Sequence, residues 1–345
     1  GNSKLSPELT TEYEFGTDMR FLNNRVGIDF SYYNKNTRDQ IFTVPVPATT
    51  GYTSRVVNFG SIENKGVEIG LNATPVKSNR FQWDMTYTFT RNRNKVLELP
   101  EGLTKVTINN AYGVEFIARV GMPLGVYEGP APARDPQGRI IVNPSSGRPL
   151  LADQNEEYGS AQRDYTMGLV NQISYKNVNL GFSFDYRQGG LFWSYTAHLN
   201  NFVGNSVGTL YNDRRPFIVP NSVIKVTGEN GEVTYVENTT PVNMTNFVNY
   251  WSTSSNSAVA SRMEVLDKTF LKLRDVTLSY TLPKTVAGRL KASNITLTAF
   301  GRNLLMWLPK ENTFIDPEVS TYNNDLSGEW GEFGGGPTNR SYGLS

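Results

Sequence analysis

The amino-acid sequence predicts an all-β protein, an antiparallel transmembrane β-barrel whose strands turn tightly at one end and are joined by long loops at the other. Three observations carry this. First, Phe81 to Thr90 alternates without a break: Phe81, Trp83, Met85, Tyr87 and Phe89 share one parity, and Gln82, Asp84, Thr86, Thr88 and Thr90 the other. Strand side chains switch faces at every residue, whereas on a helix this pattern would wrap apolar groups around the whole cylinder. Second, the connections between such segments are alternately short and long. Third, the chain holds 18 Tyr, 18 Phe, 5 Trp and 31 Gly with only 19% charged residues, a palette that favours strands over helices.

The length of the alternating stretch fits the roughly 9 to 11 residues with which a tilted strand crosses a bilayer. Taken alone, it also fits a half-buried strand of a soluble sandwich. No run of about 18 apolar residues offers a membrane-spanning helix. The mean hydropathy of −0.41 is what a barrel with a polar lumen and polar loops would show, since only alternate residues meet lipid. With no Cys, there is neither a disulfide framework nor a thiolate metal site. A net charge of +1 gives no electrostatic footprint for nucleic acid. The opening Gly1-Asn2-Ser3-Lys4 has none of the regions of a signal peptide, so any export signal is expected upstream or already removed.

The first strand is expected from about Leu9 to Phe21, with Leu9, Tyr13, Phe15, Met19 and Phe21 opposite Glu12, Glu14, Asp18 and Arg20. A turn at Asn23-Asn24 follows, because Asn tolerates the left-handed conformations tight turns use. The second strand sets Val26, Ile28, Phe30 and Tyr32 against Arg25, Asp29 and Ser31. A loop through Pro45, Pro47 and Gly51 comes next, as Pro cannot donate to a sheet ladder. The third strand has Val67, Ile69, Leu71 and Ala73 against Glu68 and Asn72, and the short turn Pro75 to Asn79 leads into Phe81 to Thr90.

A long excursion from Arg91 to about Asp164 is dense in Gly and Pro, with strand-like pieces near Val114 to Ile117 and Leu124 to Tyr127. Then Leu169, Asn171, Ile173 and Tyr175 turn at Lys176-Asn177 into Val178, Leu180, Phe182, Phe184 and Tyr186. A second excursion, Gly189 to about Lys268, includes a short helix near Tyr195 to Val203. Val276, Leu278, Tyr280 and Leu282 are linked through Pro283 to Asn294 to Ile295, Leu297 and Ala299. A third excursion runs to Gly336, and Arg340 to Ser345 reads as the start of a strand.

Bacterial outer-membrane barrels sort their connections in this way, with short periplasmic turns and long extracellular loops. A soluble sandwich has no reason to do so, and loops beyond about 15 residues are uncommon in compact domains without a function. About nine alternating strands cannot close an even-stranded bacterial barrel. The expectation is therefore that residues 1–345 are the C-terminal portion of a larger barrel.

The residues in order carry a resemblance. Leu5-Ser6-Pro7-Glu8, Glu12, Glu14, Gly16, Asn24-Arg25, Tyr32-Tyr33-Asn34, Asp39-Gln40-Ile41, Gly51-Tyr52 and Asn64-Lys65-Gly66-Val67-Glu68-Ile69 open it. Phe81-Gln82-Trp83, Asn94-Lys95-Val96, Leu273 to Pro283, Asn303-Leu304, Asp316-Pro317-Glu318 and Arg340-Ser341-Tyr342-Gly343 continue it. Together they resemble the late barrel of SusC/RagA-type TonB-dependent transporters. The resemblance implies a roughly 22-stranded barrel with an N-terminal plug, importing glycan or peptide fragments across the outer membrane. It also implies a SusD-like surface lipoprotein as lid, and TonB acting through an N-terminal region. The plug domain and early strands are expected to be absent from these residues. The rival readings are a non-transporting surface glycan-binding or adhesion module and a secreted β-fold hydrolase.

Trp193, Tyr195, Tyr250 and Trp251 are the candidate substrate-binding residues, since a ring offers a flat apolar face to a sugar or a peptide side chain. The same rings could instead hold the long loops together. Phe81, Trp83, Met85, Tyr87 and Phe89 are expected to face lipid. By parity Glu14, Asp18, Arg20, Arg25 and Asp29 face the lumen as solvated wall charges, and Asp316 with Glu318 is expected to shape a loop. His198 is the only histidine and has no Cys partner, so no zinc site or catalytic dyad is argued. Gly334-Gly335-Gly336 lacks the Lys-Ser/Thr of a phosphate loop. No catalytic constellation, metal site or cofactor is expected. The Asn243 and Asn294 sequons carry little meaning in a bacterial envelope protein.

Overall fold

A computed structural model describes residues 5–45, 49, 51–52, 54–58, 60–100, 102–252, 257–321 and 326–345. The opening Gly1 to Lys4 and the loop residue Pro47 lie outside the described residues. Nine strands form one sheet in which every strand pairs antiparallel with its sequence neighbours among the nine. They are β1 (Leu9–Phe21), β2 (Val26–Arg38), β3 (Ser61–Lys77), β4 (Phe81–Glu98) and β5 (Tyr165–Tyr175), then β6 (Val178–Gln188), β7 (Phe270–Thr281), β8 (Thr296–Trp307) and β9 (Ser341–Leu344).

The register lines up the apolar parity of all the strands. Met19, Ile28, Leu71, Tyr87, Leu169, Phe184, Leu273 and Leu305 are successive cross-strand partners, giving one apolar row over eight strands. The next row on the opposite face is mostly polar: Arg20, Gly27, Asn72, Thr86, Val170, Ser183, Asp275, Arg302 and Ser341. A slip of one residue anywhere would exchange the two faces, so the pattern itself fixes the pairing. One polar side chain sits in the apolar field: Asn171 is buried and accepts a hydrogen bond from Trp83 Nε1 at 3.0 Å.

The turns at Asn23-Asn24 and Lys176-Asn177 fall where expected, whereas the one read as Pro75 to Asn79 is tighter, because β3 runs through an irregularity between Ala73 and Val76 as far as Lys77. Leu22, Asn23 and Asn24 all have positive φ, and so does Lys176. At Ser78 the hydroxyl accepts from the Arg80 and Phe81 amides and the backbone N–H donates to Phe81 O, closing the turn. Three further expectations need correction. The strand read as Phe81 to Thr90 continues to Glu98, because β3 extends back to Ser61 and supplies partners for Arg91 to Glu98. Pro45 belongs to a short strand, Ile41–Pro45, paired with Ser54–Asn58. It sits at the strand's last position, where a missing N–H costs least. The connection Pro283 to Asn294 is not a bare turn, since it holds a helix at Lys284–Arg289 that buries Ala287.

A bulge at β7 hides part of the pattern from sequence parity. Ser183 faces Asp275 and Phe184 faces Leu273, leaving Arg274 as the extra residue. The insertion lets Leu271 and Leu273 share the apolar face with Val276, Leu278 and Tyr280, though their numbers have opposite parity. Glycine serves the sheet at Gly66. A Cβ there would stand 2.3 Å from the Tyr33 ring, so the phenol lies flat over the glycine and reaches Asn92 Oδ1 at 3.1 Å.

Candidate functional site

The three longest connections leave the same end of the sheet and build one body together. Residues 99–164 fold into a four-stranded sheet of Lys105–Ala111, Val114–Arg119, Val126–Gly129 and Glu156–Ser160. Strand Leu191–Ser194, from the second connection, lies between Val265–Asp267 of the same connection and Gly331–Glu332 of the third. Ile140–Ile141 pairs with Ser222–Thr227, which links the first connection to the second. Three helices complete the body: Tyr195–Phe202, Met244–Trp251 and Ala258–Met263. Each has a side-chain N-cap, from Ser194, Asn243 and Ser257 respectively. Asn243, of the first sequon, is thus a cap.

Among the described residues the two largest apolar clusters lie in this body. In the first, Trp193 stacks on Trp330 with ring centres 5.4 Å apart, against Val114, Phe116, Tyr127, Tyr158 and Val265. In the second, Tyr250 and Trp251 pack with Val142, Phe217, Val219, Val242 and Phe247. Trp193 is 0% exposed, Tyr250 9% and Trp251 7%, so their ring faces are spent on other loop residues rather than offered to solvent. Burial also pushes the Tyr250 hydroxyl up to about 12. Tyr195 differs, being half-buried and stacked on the exposed Phe333 at 4.0 Å and 6°.

Buried carboxylates act as staples between distant segments. Glu332 accepts from Ser194 Oγ at 2.6 Å, from Thr196 N at 2.8 Å and Thr196 Oγ1 at 3.0 Å, and from Gly334 N and Gly335 N at 2.8 and 2.9 Å. The glycine run at 334–336 therefore wraps a carboxylate of the chain itself. Glu264 accepts from Trp193 Nε1 at 3.3 Å and lies 2.8 Å from Nδ1 of His198. The histidine has a carboxylate partner that sequence distance concealed, and its ring stacks on Tyr112 at 4.1 Å.

The body is fastened to the polar face of the sheet by charge. Lys272 Nζ reaches both oxygens of Asp316 at 2.6 Å and also meets Glu318. Glu318 takes Arg274 at 2.6 Å and Arg187 at 3.0 Å, while Asp185 takes Arg274. The Lys272 and Asp316 side chains are each 3% exposed. Burial alone would raise the Glu318 carboxyl, but hydrogen bonds from Arg274 and Lys272 and the charges of Lys272 and Arg187 outweigh it and hold it at about 2. Arg163, Arg187, Lys272 and Arg274 surround the Phe270 ring at 5.7, 5.3, 4.6 and 5.6 Å. Nearby, Lys268 donates to Glu329 at 2.6 Å, and burial lowers the amine while Glu329 resists that shift.

Asp316 and Glu318 do shape a loop, and the structure adds what they hold. Their cationic partners Lys272, Arg274 and Arg187, and Asp185 which shares Arg274, are far off in sequence and carry no motif. The signal was the alternation Phe270-Leu271-Lys272-Leu273-Arg274 at the loop end of β7, blurred by the bulge. The wall charges expected near the chain start are more open: Arg20 and Asp18 pair at 2.8 Å with both side chains about half exposed. Among the described residues no group of three or more His, Cys, Asp or Glu is placed to hold a metal ion.

A sheet apolar on one face and polar on the other, turning tightly at one end and carrying a folded loop body at the other, defines the wall of an outer-membrane β-barrel. The chain belongs to the family described as TonB dependent receptor-like, beta-barrel, whose model matches residues 1–304, and it is an outer-membrane protein. It is 28% identical over 352 residues to TonB-dependent receptor P3 of Formosa agariphila, covering 94% of this chain and 32% of that protein. It is 29% identical over 222 residues to TonB-dependent receptor SusC of Bacteroides thetaiotaomicron, covering 59% of this chain and 20% of SusC. The RagAB peptide transporter structure superposes with a TM-score of 0.70 at 20% identity, covering 100% of this chain and 35% of the matched one. At that identity the match establishes the fold. The chain spans about a third of the length of the curated relatives it matches.

Proposed function

We propose that these residues are the C-terminal wall and outer loops of a transporter that imports oligomeric nutrients, glycan or peptide fragments, across the outer membrane. The observation that carries this reading is the apolar row from Met19 to Leu305 backed by a polar face on which the loop body is clamped. Such a wall needs lipid on one side and water on the other. In this reading Phe81, Trp83, Met85, Tyr87 and Phe89 face acyl chains. Trp193, Tyr250 and Trp251 keep the loop body in shape, and Tyr195, beside exposed Phe333, is the aromatic that meets substrate. The names of the relatives support TonB as the energy source; a SusD-like surface lipoprotein as partner, and a plug outside residues 1–345, are what the SusC/RagA resemblance implies.

The test is deletion of the whole gene in its host, followed by uptake of defined oligosaccharide and oligopeptide pools, with and without a functional TonB. Loss of uptake of one pool, reproduced by loss of TonB, is the expected result. Unchanged uptake of every pool on deletion, together with glycan binding to undeleted cells that the deletion abolishes, would replace the transporter with an adhesion module. Purification of the full-length protein from its membrane should bring a surface lipoprotein with it.

A further inference from the structure

A cavity of about 430 Å³ lies at the loop end of the wall, between the last residues of β8 and the loop that carries Asp316. Its size is within the usual range for small-molecule sites. Apolar groups make most of its surface, chiefly Met306, Leu308, Phe314 and Ile315. Three charged side chains line it: Lys272, Asp316 and Arg340. Lys272 and Asp316 neutralise each other at 2.6 Å, which leaves Arg340 as the net charge of the cavity. Arg340 has no carboxylate partner among the described residues, unlike Lys272, Arg274, Arg187 and Lys268 at the same end of the sheet.

The polar lining is mostly committed elsewhere. Asn312 donates to Ile315 O at 2.9 Å and accepts from the backbone of Phe314 and Ile315. Thr338 donates to Asp316, and Asn303 donates to Asn339 O at 3.3 Å. A ring of hydroxyls would therefore find few unengaged partners, and burying hydroxyls without partners is costly. An apolar side chain next to a single carboxylate would find both of its needs met, with a guanidinium fork shaped for carboxylate.

We propose that this cavity is a subsite for the carboxy-terminal residue of a peptide, with Arg340 taking the carboxylate and Met306, Leu308, Phe314 and Ile315 taking the side chain. The inference rests on the import reading above and narrows it to peptides. The experiment uses the full-length protein purified from its membrane and three probes: N-acetyl-Ala-Ala-Leu, its C-terminal amide, and trigalacturonate. Calorimetry should give at least tenfold tighter binding of the acid than of the amide. Arg340→Gln should remove that ratio, while Arg340→Lys should keep part of it. Ile315→Trp, which fills the cavity from the loop, should weaken the acid without changing the acid-to-amide ratio of what remains.

Arg340 is exposed, so its replacement should leave the fold intact, and heat-modifiable migration in gels checks this. Equal affinity for acid and amide, no measurable affinity for either, or a preference for trigalacturonate would each overturn the subsite. If uptake of an oligomer still depends on the gene when any of these is found, the subsite alone has failed. If no oligomer depends on the gene, the import reading has failed.

Discussion

Replacing Lys272 by Met should release the third loop from the wall without unfolding the sheet. Met keeps most of the aliphatic stem, so the perturbation is the loss of one ammonium. That ammonium is 2.6 Å from both Asp316 oxygens, and both side chains are 3% exposed. Removing one partner of a buried ion pair costs about 3 to 5 kcal/mol. The lower end applies here: Asp316 keeps the Thr338 hydroxyl and the Glu318 backbone N–H, and Glu318 keeps Arg274 and Arg187. About 3 kcal/mol raises the open population on the order of a hundredfold. Where opening is fast, proteolysis reads that population directly. Cleavage within residues 308–340 should therefore accelerate about a hundredfold, while the strands stay protected. The double variant Lys272→Met with Asp316→Leu should return to within about tenfold of the native rate, because replacing both charges removes the stranded carboxylate. A native cleavage rate for Lys272→Met, or a double variant cleaved as fast as the single one, would refute the clamp.

Met85 lies in the apolar field and Thr86 on the opposite face, where its hydroxyl donates to Asn72 at 2.8 Å. Met85→Arg should cost about 2 to 4 kcal/mol in refolding into lipid vesicles, and Thr86→Arg less than about 1 kcal/mol; equal costs would contradict the facing of β4. Asn171→Leu should destabilise by about 1 kcal/mol in the same titration because Trp83 loses its acceptor. In a Trp83→Phe background the same change should become neutral or stabilising, and an unchanged cost there would show that the pair is not the cause. The Glu318 carboxyl is held at about 2 against a usual 4.5, so its contribution to loop docking is complete above about pH 4.5 and fades as pH falls toward 2. Protection of residues 308–340 should be flat from pH 7 to about 4.5 and fall below it; loss between pH 7 and 6 would point to another group.

What the sequence by itself determined was the wall. The alternation of Phe81 to Phe89, the Asn23-Asn24 and Lys176-Asn177 turns and the sorted loop lengths are local consequences of strand geometry, and strand pairing follows from keeping every apolar face on the same side. Only the tertiary structure decided the rest. The bulge at Arg274 reverses the parity of β7, and the change of parity between Leu273 and Val276 acquires its meaning only from the pairing with β6. Strand β4 runs on to Glu98 because β3 reaches back to Ser61 to meet it. The destiny of the loop aromatics was equally hidden: Trp193 meets Trp330 across 137 residues, and His198 meets Glu264 across 66. The polar stretches between strands carry no period to announce such partners. Burial and ion pairing are properties of where segments meet, and where the three long connections meet is set by the wall that brings their ends together.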